Sequence, residues 1–579
     1  MCCDPEDKNN KSFWSYIRSK RQDNTTINSL KDGSKVVFSA KGKATVFNDT
    51  FKSVFTREDT SNMPEIGEPM VPPMDHITIT PDGVLKLLQE IKIRKATGPD
   101  MIPARILRDY AAELAPILTF IFQQSLDTGT VPSDWRTANI VPIYKKGDKS
   151  NPSNYRPVSL TSICSKLIEH IIFSQIMTHY DNHHILADVQ HGFRPGRSCE
   201  SQLIITTHDL ASALDDKQQV DAVVLDFSKA FDRVPHQRLL KKLQHNGING
   251  SLLYWIQNFL TTRSQRVVID GQSSASVPVT SGVPQGTVLG PLLFLTFIND
   301  IPTGITSKLR LFADDCLMYR PIHNAHDSQL FQQDLDRLHH WSTTWQMKFN
   351  TAKCHVMRFS LKRNNIESEY HLGGSLLTMV SEYPYLGVTL SSNLSWQSHI
   401  TNVSKKASRI LGLLQRNLRG CPRRLREQAY ISLVRPNLEY SCPVWNPYIK
   451  KDVTRIEMIQ RRAARFVLQR YRQRHSVTTM LQKLQWDTLE KRRQAACLAL
   501  MFKIQAETIA INPAHYLTPR APAITRNYHP NQYQLIPVRI QLYQFSYFPR
   551  TIIWWNALPE SAATSPSVEA FRKAVSASN

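Results

Sequence analysis

Two apolar runs, each stopping at a carboxylate, constrain this chain more than any other feature. In the first, Ala222-Val223-Val224-Leu225 ends at Asp226, and Phe227 to Asp232 follows. A continuous apolar run of this kind reads as a buried strand with a carboxylate at its C-terminal end. Asp232 then falls in a turn, and Pro235 opens a helix over His236–Asn246 that Gly247 closes. In the second, Leu309 to Tyr319, two apolar runs flank the pair Asp314-Asp315, the pattern of a hairpin with carboxylates at its tip. Adjacent negative charges repel one another unless solvated or coordinated. A divalent cation removes that cost, and Mg²⁺ takes its ligands from one or two carboxylates plus substrate phosphates. A pair of such ions, about 3.5–4 Å apart, can assist phosphoryl transfer. Spacing alone does not bring Asp226 to Asp314.

The rest of the chain organises around these segments. About the first 75 residues are polar, with helices expected around Ser12–Ser19 and Gly42–Phe55 and a Pro-rich linker from Met63-Pro64 to Pro72-Pro73. Strands and helices alternate from about residue 76 to 390, an α+β or α/β body. Helical periodicity dominates to about 510. The tail from Ala521 reads as irregular until a last helix near Ser567–Val575.

Charge narrows the partner. The 579 residues carry a formal net charge of +23, which points to nucleic acid or an anionic membrane surface. Residues 401–500 hold 22 Lys/Arg against 6 Asp/Glu, most of that surplus. Between Asp452 and Tyr471, Val453, Ile456, Ile459, Ala463, Phe466 and Val467 can share one helical stripe. Arg455, Arg462, Arg465 and Arg470 then fall largely off it. With acidic residues so few, self-repulsion is relieved by phosphates, whereas a solvated helix face is the plainer alternative. The longest apolar run, Pro291 to Ile298, is far short of a bilayer span. The start Met1-Cys2-Cys3 shows no readable signal peptide. Nine scattered cysteines argue for a reducing compartment rather than a disulfide framework or structural zinc.

At this point an ordered set of segments is recognisable. It runs Lys95–Asp100, Val141–Asp148, Asn154–Leu160, Gln190–Ser198, the Asp226 segment, Ser281–Pro291, Phe312–Asp315, Asn350–Cys354 and Tyr385–Val388. In this order the chain resembles the reverse transcriptases of non-LTR, LINE-type retrotransposons, most closely jockey-like elements, from Phe47–Phe51 through Phe571. The resemblance implies an α+β right-hand polymerase. Fingers and palm with an antiparallel sheet would cover 76–390, after an N-terminal extension over 1–75. A basic all-helical thumb and connection would follow over 391–510, then a mostly irregular or helical C-terminal segment over 511–579.

The resemblance also implies roles. Asp226, Asp314 and Asp315 would hold two Mg²⁺ ions, with Mn²⁺ as the alternative, and Lys353 would protonate pyrophosphate. Lys146 and Arg156 would grip the triphosphate, Lys145 being an equally basic neighbour. Phe231 would exclude a 2′-OH, its alternative being a core aromatic, and Gln285 would sit beside the sugar. Asp232 reads as structural, part of the turn. Arg194 and Arg197 would lie on the template side, and Tyr385, Leu386 and Gly387 would form the primer grip. Arg462 and Arg465 would meet the duplex. Trp554 and Trp555 read as buried core rather than base-stacking platforms.

The expected partners are an RNA template, a DNA primer and dNTPs, with no membrane. The expected location is intracellular, in nucleus or cytoplasm, and Arg423-Arg424-Leu425-Arg426 is a basic cluster that nuclear entry or phosphate binding would equally explain. No endonuclease, RNase H constellation or Cys/His knuckle is readable in the chain, so a separate endonuclease would act in trans. The reading from another class is a catalytically inactive nucleic-acid-binding remnant. An intron-type maturase is a weaker third.

Overall fold

The computed structural model describes residues 27–69, 71–472, 475–521 and 529–578. The helix expected over Ser12–Ser19 lies outside them. A five-stranded sheet has the order Thr378–Met379, His355–Phe359, Gln219–Asp226, Asp315–Ile322, Lys308–Phe312. Its pairings are antiparallel except the short outer one between His355–Phe359 and Thr378–Met379. The Asp226 strand lies in the middle, which explains why its apolar run is unbroken: both faces are covered. Val220, Ala222 and Val224 enter one core with Leu317, Tyr319, Met357 and Phe359. Val223 and Leu225 enter the other with Cys316, Met318 and Val356. Asp221, at the head of the run, is fully buried. The Arg358 guanidinium, 3.1 Å away, compensates its charge, and the Tyr370 hydroxyl donates to it at 2.9 Å.

A second sheet joins Tyr155–Leu160, Thr137–Tyr144, Ser264–Ile269 and Gln272–Ser273 in that order, with Val277–Pro278 also against Ser264–Ile269. The strands Thr137–Tyr144 and Ser264–Ile269 run parallel. The segment read as an N-terminal extension is built into this sheet. Ser39 caps the helix Ala40–Lys52, whose Phe47 and Phe51 pack with Ala138, Ile140, Tyr155 and Val267. Phe47 is fully buried, a burial worth about 3 kcal/mol. The Pro-rich stretch is not a free linker either. Arg238 donates to the carbonyls of Asp59 and Asn62, Lys241 to that of Pro64, and the Met74 N–H to the Gly247 carbonyl.

Helices dominate from Gln397 to Gln505, as the periodicity requires. Gln397–Asn417 buries Ile400, Ala407, Leu411 and Leu414 and packs on Lys450–Leu468, which buries Ile456, Ile459, Ala463, Phe466 and Val467. The tail is more helical than expected, with Gln541–Gln544, Tyr547–Asn556, Glu560–Ala563 and Val568–Ser578. Trp555 is fully buried there, donating to the Asn531 carbonyl and stacked on Phe571, and Trp554 lies half-buried beneath the Arg550 guanidinium. No helix among the described residues is long and apolar enough to cross a membrane.

Candidate active site

The two carboxylate segments meet. Asp315 pairs in register with Asp226, and strand alternation puts both on the face that carries Ala222, Val224, Leu317 and Tyr319. Ala313 and Asp314 are the two-residue loop of the hairpin, and Ala313 adopts a left-handed conformation (φ 51°). That uncommon backbone is held from outside. Gln190 Oε1 accepts from the Ala313 and Gly192 N–H groups at 2.9 and 2.7 Å. The Gly192 backbone comes so near that a Cβ there would sit 2.2 Å from the Ala313 nitrogen.

The electrostatics fit a cation site. Partial burial, then the Asp226 charge, raises the Asp314 carboxyl above the usual range. Burial with the Asp314 and Asp226 charges pushes Asp315 up to about 6. Positive groups partly offset this, the nearest being Lys145 and Arg156. Lys353 Nζ contacts Asp226 Oδ2 at 3.0 Å. Hard oxygen donors crowded against their own repulsion are the donor set a divalent cation takes. Among the described residues no three metal-ligating side chains close on a single point.

Lys145 and Lys146 come directly after the strand Thr137–Tyr144. Ala138 and Ile140 face the Phe47 core, and Tyr144 follows that side. Ile143 and Lys145 take the other, where Arg156 pairs opposite Ile143. Partial burial and the Arg156 and Lys353 charges draw the Lys145 ammonium below the lysine range, against the pull of Asp226 and Asp314. Lys145 is thereby the one of the two whose ammonium feels the Asp226 and Asp314 charges.

Phe231 sits in the short helix Ala230–Arg233, stacked on Phe294 at 4.4 Å with Phe193 edge-on. Gln285 donates from Nε2 to Asp232 Oδ1 at 2.8 Å, and its carbonyl accepts from the Ser159 N–H. Lys353 is placed by a short zipper: Phe227 stacks on Phe349 at 4.5 Å and the Asn350 N–H donates to the Asp226 carbonyl.

Three expectations change. Arg194 donates to the Leu186 and Ala187 carbonyls, and Arg197 to the carbonyl and carboxylate of Asp188. They brace that loop instead of facing a template. Tyr385 is buried, its hydroxyl accepting from Gln202, so the tip of the expected primer grip is Leu386-Gly387, both left-handed (φ 45° and 83°). Arg426 is buried, with donations to the Val467, Arg419 and Cys421 carbonyls, which removes it from any exposed basic cluster. On the helical region, Lys405, Lys406, Arg409, Arg461 and Arg462 are exposed and Arg465 is half-buried. Arg462 also reaches Ser408 of the neighbouring helix at 3.2 Å.

Sequence reasoning missed three residues. Lys229, in a left-handed conformation, donates to the Ser153 carbonyl of the second sheet's loop at 3.2 Å, and burial lowers its ammonium. The Tyr383 phenol is raised by burial and by the Asp226 and Asp315 charges, which places it beside the carboxylates. The only signal was its position two residues before Tyr385. Glu169, fully buried, accepts the Val288 and Leu289 N–H groups and anchors the helix that follows Gln285. An apolar helical run hides it.

Residues 143–390 match the family described as Reverse transcriptase (RNA-dependent DNA polymerase). The chain is 29% identical over 405 residues to the RNA-directed DNA polymerase from mobile element jockey of Drosophila melanogaster, covering 67% of this chain and 43% of that protein. It is 28% identical over 484 residues to the probable RNA-directed DNA polymerase from transposon BS of the same fly, covering 79% and 53%. A third relative, the probable RNA-directed DNA polymerase from transposon X-element, is 28% identical over 401 residues, covering 67% and 44%. The chain spans about half the length of these curated relatives.

Proposed function

We propose that this chain is an RNA-directed DNA polymerase of the non-LTR retrotransposon kind, a reading supported by the match of residues 143–390 to the reverse transcriptase family and by the similarity to the polymerases of mobile element jockey and transposon BS. The observation that carries the reading is the meeting of Asp226 with the Asp314-Asp315 tip, ringed by Lys145, Arg156 and Lys353. A primer 3′-hydroxyl attacks the α-phosphorus of a dNTP paired to the template. One P–O bond forms, the bond to the bridging oxygen breaks, and pyrophosphate leaves with the β and γ phosphates. Asp226, Asp314 and Asp315 would hold two Mg²⁺ ions, which when bound favour the alkoxide and neutralise charge on the leaving group.

The chain's own residues do the rest. Lys145 and Arg156 present fixed positive charge to the triphosphate without reorganising in the reaction. Lys353, whose Nζ lies beside Asp226, supplies a proton to the departing pyrophosphate. Phe231 blocks a 2′-hydroxyl by clash, and Gln285 meets the sugar. Tyr383 and the Leu386-Gly387 tip hold the primer end. The exposed cations of Gln397–Asn417 and Lys450–Leu468 hold the duplex by its phosphates.

Primer extension on an RNA template with Mg²⁺ tests the proposal. Extension by the intact chain, lost in Asp314→Ala with template–primer binding retained, is the expected result. Salt-sensitive binding without incorporation would instead identify the inert remnant.

A further inference from the structure

We propose that Asp232 is a positioning residue that clamps Gln285 and Phe231 together and so sets discrimination between deoxy- and ribonucleotides. The inference rests on the polymerase reading above and adds a residue to it that was expected only to shape a turn.

The clamp is built from both side chain and backbone. Gln285 Nε2 donates to Asp232 Oδ1 at 2.8 Å, across 53 positions of sequence. Alongside, the Val283 N–H donates to the Phe231 carbonyl at 2.7 Å and the Ser281 hydroxyl to the Asp232 carbonyl at 2.9 Å. Gly282 (φ 91°) passes so close that a Cβ would lie 2.7 Å from both carbonyl oxygens. The turn carrying Phe231 and the loop carrying Gln285 therefore form one body.

Behind that body is a cavity of about 40 Å³, with Phe231, Asp232, Gln285, Arg263 and Phe51 among its walls. Its other walls include Ala138 and Ile140, on the face of the second sheet opposite Lys145 and Arg156. It therefore lies on the far side from the triphosphate cations. It has room for a few water molecules and none for a sugar. An aromatic gate excludes a 2′-hydroxyl only while it cannot retreat, and this cavity is space to retreat into. The Asp232–Gln285 bond fixes two of its walls.

The chemistry of the pair adds direction. An ionised carboxylate only accepts hydrogen bonds, so it selects the amide orientation with Nε2 toward Asp232 and leaves Oε1 for a nucleotide hydroxyl. Lys229 and Arg233 favour the charged form, against a burial that pushes the carboxyl up to about 6.

Single-nucleotide incorporation of dNTP and rNTP by the full chain, on an RNA template with a DNA primer, tests the idea in Asp232→Ala, Asp232→Asn and Gln285→Ala. Asp232→Ala should raise the dNTP KM and narrow the dNTP/rNTP preference by about tenfold or more, the weight of one hydrogen bond to a charged group, with kcat little changed. Asp232→Asn keeps an accepting oxygen and should restore most of both. Gln285→Ala breaks the same bond and removes the sugar contact as well, so the double variant should be no worse than Gln285→Ala alone. If the unaltered chain does not extend a primer, the polymerase reading falls and this inference with it. If it does extend, wild-type selectivity in Asp232→Ala and Gln285→Ala overturns this inference alone. Additive effects in the double variant also overturn it.

Discussion

Lys353 Nζ lies 3.0 Å from Asp226 Oδ2, joining residues 127 positions apart at the open end of the central strand. The contact is held from below by the Asn350–Asp226 backbone bond and the stacked rings of Phe227 and Phe349, so the ammonium does not depend on a flexible loop for its place. It is half-exposed, which suits a group that must exchange its proton with solvent between turnovers.

In the proposed proton-donor role, Lys353 would act on the chemical step. Lys353→Ala should lower kcat about 10²-fold with dNTP KM and duplex affinity nearly unchanged, as measured by rapid-quench single turnover. A change confined to KM would remove the general-acid role.

Of two adjacent lysines that composition treats alike, Lys145 is the one that feels the Asp226 and Asp314 charges. Lys145→Ala should raise the dNTP KM by about tenfold or more, the effect of one charge-assisted contact, and Lys146→Ala by less than about twofold. Steady-state titration of dNTP decides it, and equal effects would mean that both reach the triphosphate.

On the helical region, exposed cations and a buried one should part company. Lys405→Ala and Arg409→Ala each take one cation away from the duplex phosphates, and each should reduce the slope of log affinity against log salt by about 1. Arg426→Ala should leave that slope alone and cost about 3 kcal/mol of stability, because three backbone carbonyls are left without their charged donor. Filter binding across a salt series and thermal melting read the two effects separately.

His191 should make the fold acid-sensitive. Burial, with Arg197, Arg310 and Arg194 nearby, pulls its imidazole down from 6.5 to about 3. The unfolded chain takes up the proton near 6.5 and the folded chain does not until about 3, so stability is full above 6.5 and falls steadily between the two values. At pH 5 the loss from this group is about 2 kcal/mol relative to pH 7. Denaturant unfolding at both values should show it, and His191→Gln should flatten that part of the profile. A wild-type profile already flat there would mean that His191 titrates normally.

Much of the candidate site's local structure was legible because its signals are local. An apolar run ending in Asp226 and two runs around Asp314-Asp315 specify a strand and a hairpin before any tertiary contact is known. What was not legible depends on partners distant in sequence or on the identity of a backbone acceptor. Arg194 and Arg426 look free in sequence because the carbonyls they satisfy carry no residue signature. What distinguishes Lys145 is its nearness to Asp226 and Asp314, carboxylates far along the chain from it. The first described helix was expected, but its polar average concealed that it completes the core of the second sheet.

The strand that ends in Asp226 belongs, through one face, to a core that extends along the chain as far as Val575. Ala222, Val224, Leu317, Tyr319, Met357 and Phe359 share their core with Trp445, Phe502 and Trp555. The reverse transcriptase family match ends at residue 390, within reach of a core that continues well past it. A fragment ending at that point would carry Asp226, Asp314 and Asp315 but would lose every residue beyond 390 from the core their strands share with Trp445, Phe502 and Trp555.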